Sequence, residues 1–423
     1  MMKPIALSCL LAGVLFDCNS LASSFMNIDL QNRSTPVQSS DECLWALEQM
    51  HVYESWNALA RYGNDKPGLG ITVAHLDTGV IPLRSLLFTN KISDGSLGLQ
   101  FTSDKSSVSG FNFVQSIASP LDNDPKAPSF GHGTSTASLL VGWLNPEANQ
   151  TFEFRGLAPW LRLIPIKVTD SVVMVGNMST GGSADLKNLA KGIDLASSLN
   201  ANVISISLGA LFDSEKLLEK SVQKAIENGA IIVAAAGQTF PVGMIPLPAR
   251  LPGVIAVSAS TRDQKPWSEA FVGKHIDWSV PGAGICHIKA GRISQTPSIP
   301  FNVDSIIRIL GRHGETLNFT ESLISSSGTS FSTAYTAGAA ALWLQFHSPE
   351  ALASRYGRKN ISNLFEVTAK MYAMETPPGW QSQKHGRGIL NIHKLISAPL
   401  PCDDGDSKES CEVKTANFLN SSP

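Results

Sequence analysis

Three polar residues, far apart in the chain, each stand among small neighbours that leave a reactive side chain accessible. They are Asp77 in Leu76-Asp77-Thr78-Gly79, His132 in Gly131-His132-Gly133-Thr134-Ser135, and Ser330 in Ser326-Ser327-Gly328-Thr329-Ser330-Phe331-Ser332. Each has a plainer reading: a carboxylate at a strand end often only caps a helix, a loop histidine is often structural, and a run of hydroxyl residues often only makes a turn. Together they are the types that nucleophilic acyl transfer needs: a hydroxyl nucleophile, an imidazole to take its proton, and a carboxylate to hold the imidazole tautomer.

Placement strengthens the set. Asp77 closes the apolar run Ile71 to Leu76, and Gly79 lets the backbone turn sharply behind it. His132 precedes the small-residue helix Thr136 to Val141, whose N-terminal dipole disfavours an imidazolium and so keeps a general base neutral. Ser330 precedes an apolar helix running to Phe346, where the dipole and a free backbone N–H both favour an oxyanion. Ser332 is close enough to be confused with it, and the preceding Gly328-Thr329 favours Ser330.

The elements that must position these residues alternate between short β-branched runs and amphipathic stretches. Ile71 to Leu76, Leu161 to Val168, Val203 to Leu208, Ala230 to Ala236 and Val254 to Ser258 read as buried strands. Ser183 to Leu199 and Ser214 to Asn228 carry apolar residues at helical spacing, closed by Asn200 and Gly229. The pattern predicts a three-layer α/β fold, a mostly parallel central sheet with helices on both faces, and a site at the carboxyl edge of its strands. From Pro281 to about Phe319, Gly, Pro and Ser breakers predict loops and surface hairpins.

The order Asp, His, Ser distinguishes this arrangement from other serine triads. With Gly156-Leu157-Ala158-Pro159, Ser205-Ile206-Ser207-Leu208-Gly209, Ala234-Ala235-Ala236-Gly237, Pro252-Gly253-Val254-Ile255-Ala256-Val257 and Gly388-Ile389-Leu390-Asn391, the chain resembles the subtilisin-like serine proteases of the subtilase family from about Trp45 to His393. The resemblance implies a serine endopeptidase in which Ser330 attacks the scissile carbonyl, His132 shuttles the proton and Asp77 orients His132. It implies that Ser207, Leu208 and Gly209 pair with an extended polypeptide substrate, and that Ala235, Ala236 and Gly237 form the other wall of the primary specificity pocket. No cofactor is required for that chemistry.

Gln238 departs from the family pattern, which has an asparagine after the Ala-Ala-Gly wall as oxyanion donor. Losing such a donor costs about 2.7–4 kcal/mol, a magnitude that comes from this enzyme family itself. Two readings therefore stand: an active endopeptidase with Gln238 as donor, or a pseudoprotease that binds extended peptides beside an impaired oxyanion hole. Ala334-Tyr335, where the family commonly has Pro-His, affects packing only. Structural calcium, common in the family, finds no ligand set here: Asp122-Asn123-Asp124 and the trio Asp403, Asp404 and Asp406 read as solvated acidic loops, so no metal site is assigned.

Of 423 residues, 16% are charged and 43% hydrophobic, with a formal net charge of -2, so no basic excess points to nucleic acid. No Gly-x-Gly-x-x-Gly or phosphate loop follows the first strand. Lys3, the apolar Ile5 to Phe16 and Ser20-Leu21-Ala22 read as a signal peptide over 1–22, implying a secreted or periplasmic protein that is free of the membrane after cleavage. Residues 23–40 read as a flexible leader too short for a folding pro-domain, 41–397 as the catalytic domain of a monomer, and 398–423 as an acidic tail. Export leaves Cys43, Cys286, Cys402 and Cys411. Cys402 and Cys411 close a local loop; pairing of Cys43 with Cys286 would follow by elimination and stays open. Asn149, Asn177, Asn318 and Asn360 head glycosylation sequons.

Overall fold

A computed structural model describes residues 8–11, 14–17, 35–36, 41–87, 110–117, 119–144, 154–174, 184–210, 216–238, 244–292, 307–310 and 316–400. The signal cleavage site, Asn149, Asn177 and the tail with Cys402 and Cys411 lie outside these residues. The elements that matter for the site are, in chain order, α1 (Asp41–Gln49), β1 (Thr72–Asp77), β2 (Phe111–Asn112), α2 (His132–Val141), β3 (Arg162–Lys167), β4 (Val173–Met174) and α3 (Ala184–Ser198). They continue with β5 (Val203–Ile206), β6 (Gly209–Ala210), α4 (Leu217–Glu227), β7 (Ile231–Ala235), β8 (Val254–Ser260), β9 (Trp278–Pro281) and β10 (Ile285–Arg292). The last are β11 (Ile307–Leu310), β12 (Thr316–Ser326), α5 (Thr329–His347), α6 (Ile361–Tyr372), β13 (Met374–Glu375) and β14 (Ile389–Leu390).

A nine-stranded sheet in the order β13-β14-β9-β8-β7-β5-β1-β3-β2 forms the centre. Every neighbouring pair is parallel except β13 with β14. Such a sheet must be covered on both faces, which explains the near-continuous apolar strands. Alternation along β1 sends Ala74 and Leu76 into a core shared with Leu186 and Ile193 of α3 and Val222 of α4. Val73 enters the opposite core with Leu139 and Val141 of α2, Ala340 of α5 and Phe365 of α6. By the same period of two, His75 and Asp77 lie on the Val73 face, towards α2 and α5. The α/β expectation therefore holds.

Helix α5 is buried on all sides, from Thr329 through Leu344 apart from Ser330. Its run Ala337-Gly338-Ala339-Ala340-Ala341 has no polar face because the helix packs at once on the sheet and on α2. The small side chains are what let it approach both. Among the described residues no helix is long and apolar enough to cross a membrane.

Two expectations need correction. Within the stretch from Pro281 to Phe319, β10 is no surface hairpin: Ile285, Cys286, His287 and Ile288 are buried and the strand packs on α2. Its long antiparallel partner β12 supplies the hydrogen bonds, a non-local pairing that the breakers flanking it conceal. Within the leader, Thr35 and Pro36 pair with Ser325 and Ile324 of β12, so this part of residues 23–40 is held by a sheet edge.

Cys43 and Cys286 form a disulfide with Cα atoms 5.0 Å apart, tying α1 to β10 across 243 residues of chain. Closing a loop of that size restricts the unfolded chain strongly. Replacing both cysteines by serine is expected to lower the unfolding free energy by about 3–5 kcal/mol, read from urea denaturation midpoints.

Candidate active site

Asp77 is the last residue of β1, and the chain turns away at once. Gly79 takes φ +98°, and a Cβ there would meet the Pro120 carbonyl oxygen and the Asp122 nitrogen at 2.8 Å. A Cβ on Gly133 would collide with the Gly79 carbonyl. These two glycines therefore allow the Asp77 turn and the first turn of α2 to touch, and the contact brings His132 onto the carboxylate. His132 is the first residue of α2 rather than its forerunner.

His132 Nδ1 lies 2.7 Å from Asp77 Oδ1. A carboxylate can only accept, so the ring proton sits on Nδ1 and the lone pair on Nε2, the state a general base requires. The Thr78 N–H also donates to Oδ1, at 2.7 Å. Asp77 is fully buried, whereas the His132 side chain is 21% exposed, enough to meet a ligand. Burial alone would raise the Asp77 pKa, but the charge interaction and hydrogen bond with His132, helped by His75 and the Thr78 N–H, hold it below the usual carboxylate range.

Ser330, second residue of α5, is partly exposed. Its hydroxyl donates to the Ser207 carbonyl at 3.0 Å, and the Ser207 hydroxyl donates back to the Ser330 carbonyl at 3.1 Å. Ser332 is fully buried, with its hydroxyl on the Val280 and Pro281 carbonyls at 3.1 and 3.2 Å. That separates the two serines. Helices α2 and α5 pack side by side, so His132 and Ser330 both stand at helix starts on the edge where β1, β5 and β7 end.

Gln238 follows β7, and its side chain reaches Thr329. The Thr329 backbone N–H lies 2.6 Å and its hydroxyl 3.1 Å from Gln238 Oε1. A backbone N–H can only donate, which fixes the amide orientation: oxygen towards Thr329, Nε2 left as donor beside Gly328, one residue before Thr329. The glutamine keeps an N–H donor next to the start of α5.

The pocket-wall residues are less uniform. Leu208, Ala235 and Ala236 are buried, and Gly237 is partly open at φ +89°, backed by Phe271. The edge expected to pair with substrate is already engaged at one end: the Gly209 N–H donates to the Val172 carbonyl at 3.1 Å, and β6 runs parallel to β4. Ala210 exchanges two hydrogen bonds of 2.8 Å with Leu247.

Four residues at the site escaped sequence reasoning. His75, two positions before Asp77, is buried on the same face, a placement that strand alternation makes readable. Thr136, one helical turn after His132, places its hydroxyl 3.3 Å from Asp77 Oδ2. His287 stacks on Phe331, ring centroids 4.7 Å apart, and places Nε2 2.8 Å from the Ser326 hydroxyl. Burial, with smaller contributions from the His132 and Lys289 charges, pushes its pKa down to about 3, so it is neutral packing beside the nucleophile. Lys167, the last residue of β3, is buried with its ammonium on the Thr78 carbonyl at 2.7 Å, Asp170 at 2.7 Å and Asp122 at 3.3 Å.

Lys167 overturns the reading of Asp122 and Asn123 as a solvated loop, since both are buried. Asp122 accepts from the Thr78 hydroxyl at 3.0 Å and the Gly131 N–H at 2.6 Å in addition to Lys167. Its oxygens are spent on protein donors and an ammonium, so the calcium common in this family does not fit here. Asp403, Asp404 and Asp406 lie outside the described residues.

A sequence profile of the subtilase family matches residues 68–388. The chain belongs to the subtilase family. It is 27% identical over 241 residues to the minor extracellular protease Epr of Bacillus subtilis, covering 57% of this chain and 30% of that protein. It is 28% identical over 347 residues to mycosin-4 of Mycobacterium tuberculosis, covering 78% of this chain and 66% of that protein. It thus spans less than two thirds of either relative. Among solved structures, MycP1 from Mycobacterium smegmatis superposes with a TM-score of 0.55 at 19% identity, covering 88% of this subtilase and 89% of that chain. A protease from Pseudoalteromonas arctica gives 0.57 at 20%, covering 84% and 97%. These likenesses confirm the fold.

The buried pair under this subtilase's site is open to a pH test. Burial, against the pull of Lys167 and the Gly131 and Thr78 bonds, raises the Asp122 pKa to about 6 from 3.8. A carboxyl raised on folding contributes stability below its unfolded pKa and loses it as pH climbs through the folded one. In Asp122→Asn that loss is absent, so the wild-type minus variant stability is expected to shrink by about 2 kcal/mol between pH 4 and 6, measured by urea unfolding across that range. Lys167→Met, which strands the buried Asp122 carboxylate, is expected to cost about 3–5 kcal/mol at pH 7 in the same assay.

Proposed function

We propose that this subtilase is a secreted serine endopeptidase, exported by the signal peptide at 1–22 and cleaving extended polypeptides as a monomer through an acyl-enzyme intermediate. The observation that carries the reading is the 2.7 Å contact between His132 Nδ1 and the buried Asp77, at the strand edge where Ser330 opens α5. Ser330 is the nucleophile. For attack its hydroxyl proton turns from the Ser207 carbonyl to His132 Nε2, and the oxygen adds to the scissile carbonyl. His132 becomes an imidazolium held by Asp77, then gives that proton to the leaving amine, and water repeats the cycle to release the acyl group.

The Gln238 Nε2 amide and the Ser330 backbone N–H serve the oxyanion. Supporting this role, although glutamine is one methylene longer than asparagine, Thr329 anchors the Gln238 oxygen and leaves Nε2 beside Gly328. That anchoring favours the active enzyme over the pseudoprotease. Ser207, Leu208 and Gly209 receive the peptide strand on one side, and Ala235, Ala236 and Gly237 bound the pocket on the other. The extracellular protease among the relatives supports export.

A fluorophosphonate probe is expected to label the folded wild type and to fail with Ser330→Ala and His132→Ala. A folded wild type that takes no label and cleaves no peptide would leave the non-hydrolytic peptide binder instead. Gln238→Ala is expected to lower kcat by about 10²–10³ with KM little changed, and Gln238→Asn to keep labelling, both read from steady-state cleavage of a chromogenic peptide.

A further inference from the structure

The second oxygen of the Asp77 carboxylate has its own arrangement. Oδ1 serves His132 and Thr78, while Oδ2 faces the Thr136 hydroxyl at 3.3 Å and His75 Nε2 at 3.8 Å. His75 Nε2 lies 3.1 Å from the Gly133 carbonyl and 3.1 Å from Thr136 Oγ1. A carbonyl only accepts, so the His75 proton is on Nε2, shared between Gly133 and Thr136. The Thr136 oxygen can then receive from His75 while its own proton goes outward. Three acceptors surround that proton: Asp77 Oδ2, the His132 carbonyl at 3.1 Å and the Gly133 carbonyl at 3.3 Å. The ionised carboxylate attracts it most strongly at such similar distances.

His75 Nδ1 is buried without a hydrogen-bond partner, so the ring meets the core with a lone pair and not with a charge. The surroundings agree. Burial lowers the His75 pKa, against Asp77 and the Gly133 bond, and the charge on His132 lowers it further. A neutral His75 gives its N–H to Gly133 and Thr136, 3.8 Å from Asp77 Oδ2, without repelling the imidazolium that forms on His132.

We infer that Thr136 and His75 are positioning residues of this active site: the Thr136 hydroxyl, oriented by the His75 N–H, holds Asp77 Oδ2 so that Oδ1 stays aligned on His132. The inference rests on the peptidase reading for its kinetic consequence, but not for its contact, because the His132 imidazole can be titrated without any substrate. Among the described residues, Asp77, His75 and His287 are titratable groups that feel the His132 charge, and all three are buried.

The test pairs a substitution that removes each donor with one that keeps it. Thr136→Val deletes the hydroxyl at nearly constant volume, and Thr136→Ser retains it. His75→Leu removes the N–H, and His75→Gln returns an amide N–H near the Nε2 position. With Oδ2 released, Oδ1 is no longer held in line with the imidazolium it stabilises, so the His132 titration midpoint, followed by ¹⁵N NMR, is expected to fall by about 0.5 pH unit in Thr136→Val and His75→Leu. In the same two variants kcat for a chromogenic peptide is expected to fall about tenfold at little-changed KM, and its acid limb to move with the midpoint. Thr136→Ser and His75→Gln are expected to restore most of both.

An unmoved or raised midpoint in Thr136→Val and His75→Leu overturns the inference, as does equal damage from the conservative and the deleting member of each pair, which would make the role one of packing. Should wild type neither label nor cleave, the peptidase reading fails alone, and the NMR comparison still decides the contact.

Discussion

Keeping one carboxylate ionised inside the protein is the constraint around which this fold is arranged. Asp77 has no access to water, and a bare charge in that position would cost several kcal/mol. It is matched by an imidazole and a hydroxyl that α2 delivers, from His132 and Thr136, and by a backbone N–H that the turn after β1 delivers, from Thr78. Those deliveries explain the surroundings. The turn at Gly79 frees the Thr78 N–H, the closeness of Gly133 to that turn sets α2 against β1, and α2 brings both His132 and Thr136.

Beneath this lies a second buried charge pair. Lys167 grips the Thr78 carbonyl from one side while Asp122 takes the Thr78 hydroxyl from the other, and Asp122 also holds the Gly131 N–H just before His132. The turn after Asp77 and the loop that leads into α2 are thus fastened to one ion pair. A buried pair of this kind is poor evidence of stability, since its desolvation offsets much of the attraction. Its value here is geometric, as it fixes the turn after Asp77 and the entry to α2 relative to each other.

Legibility in the sequence followed the range of the interaction. Asp77, His132 and Ser330 stood out because glycines and hydroxyl residues adjacent in sequence shape their immediate backbone, and the central strands because burial on both faces leaves continuous apolar runs. Asp122 was misread because its environment is decided by Lys167, 45 residues further on. Strand β10 was missed because its pairing with β12 crosses a segment rich in breakers, and its buried histidine looks polar on paper. Gln238 could be flagged but not oriented, since only the direction of the Thr329 N–H determines which end of its amide is free. His75 was within reach of a simple count of two along the strand. Thr136 was within reach of a count of four along the helix from His132.

The bond from the Gly209 N–H to Val172 gives the edge of the cleft a history before any peptide arrives. A strand that seeks this N–H does not meet an empty template but a rival already in place, tethered to the same chain and therefore at high local concentration. For a peptide pairing there as proposed, occupancy would be an exchange, the apparent affinity being the intrinsic one reduced by the fraction of molecules in which Val172 has let go. On the proposed reading, a peptide would have to gain enough elsewhere along this edge to displace a self-made partner, and a short one reaching only Gly209 would be at a disadvantage.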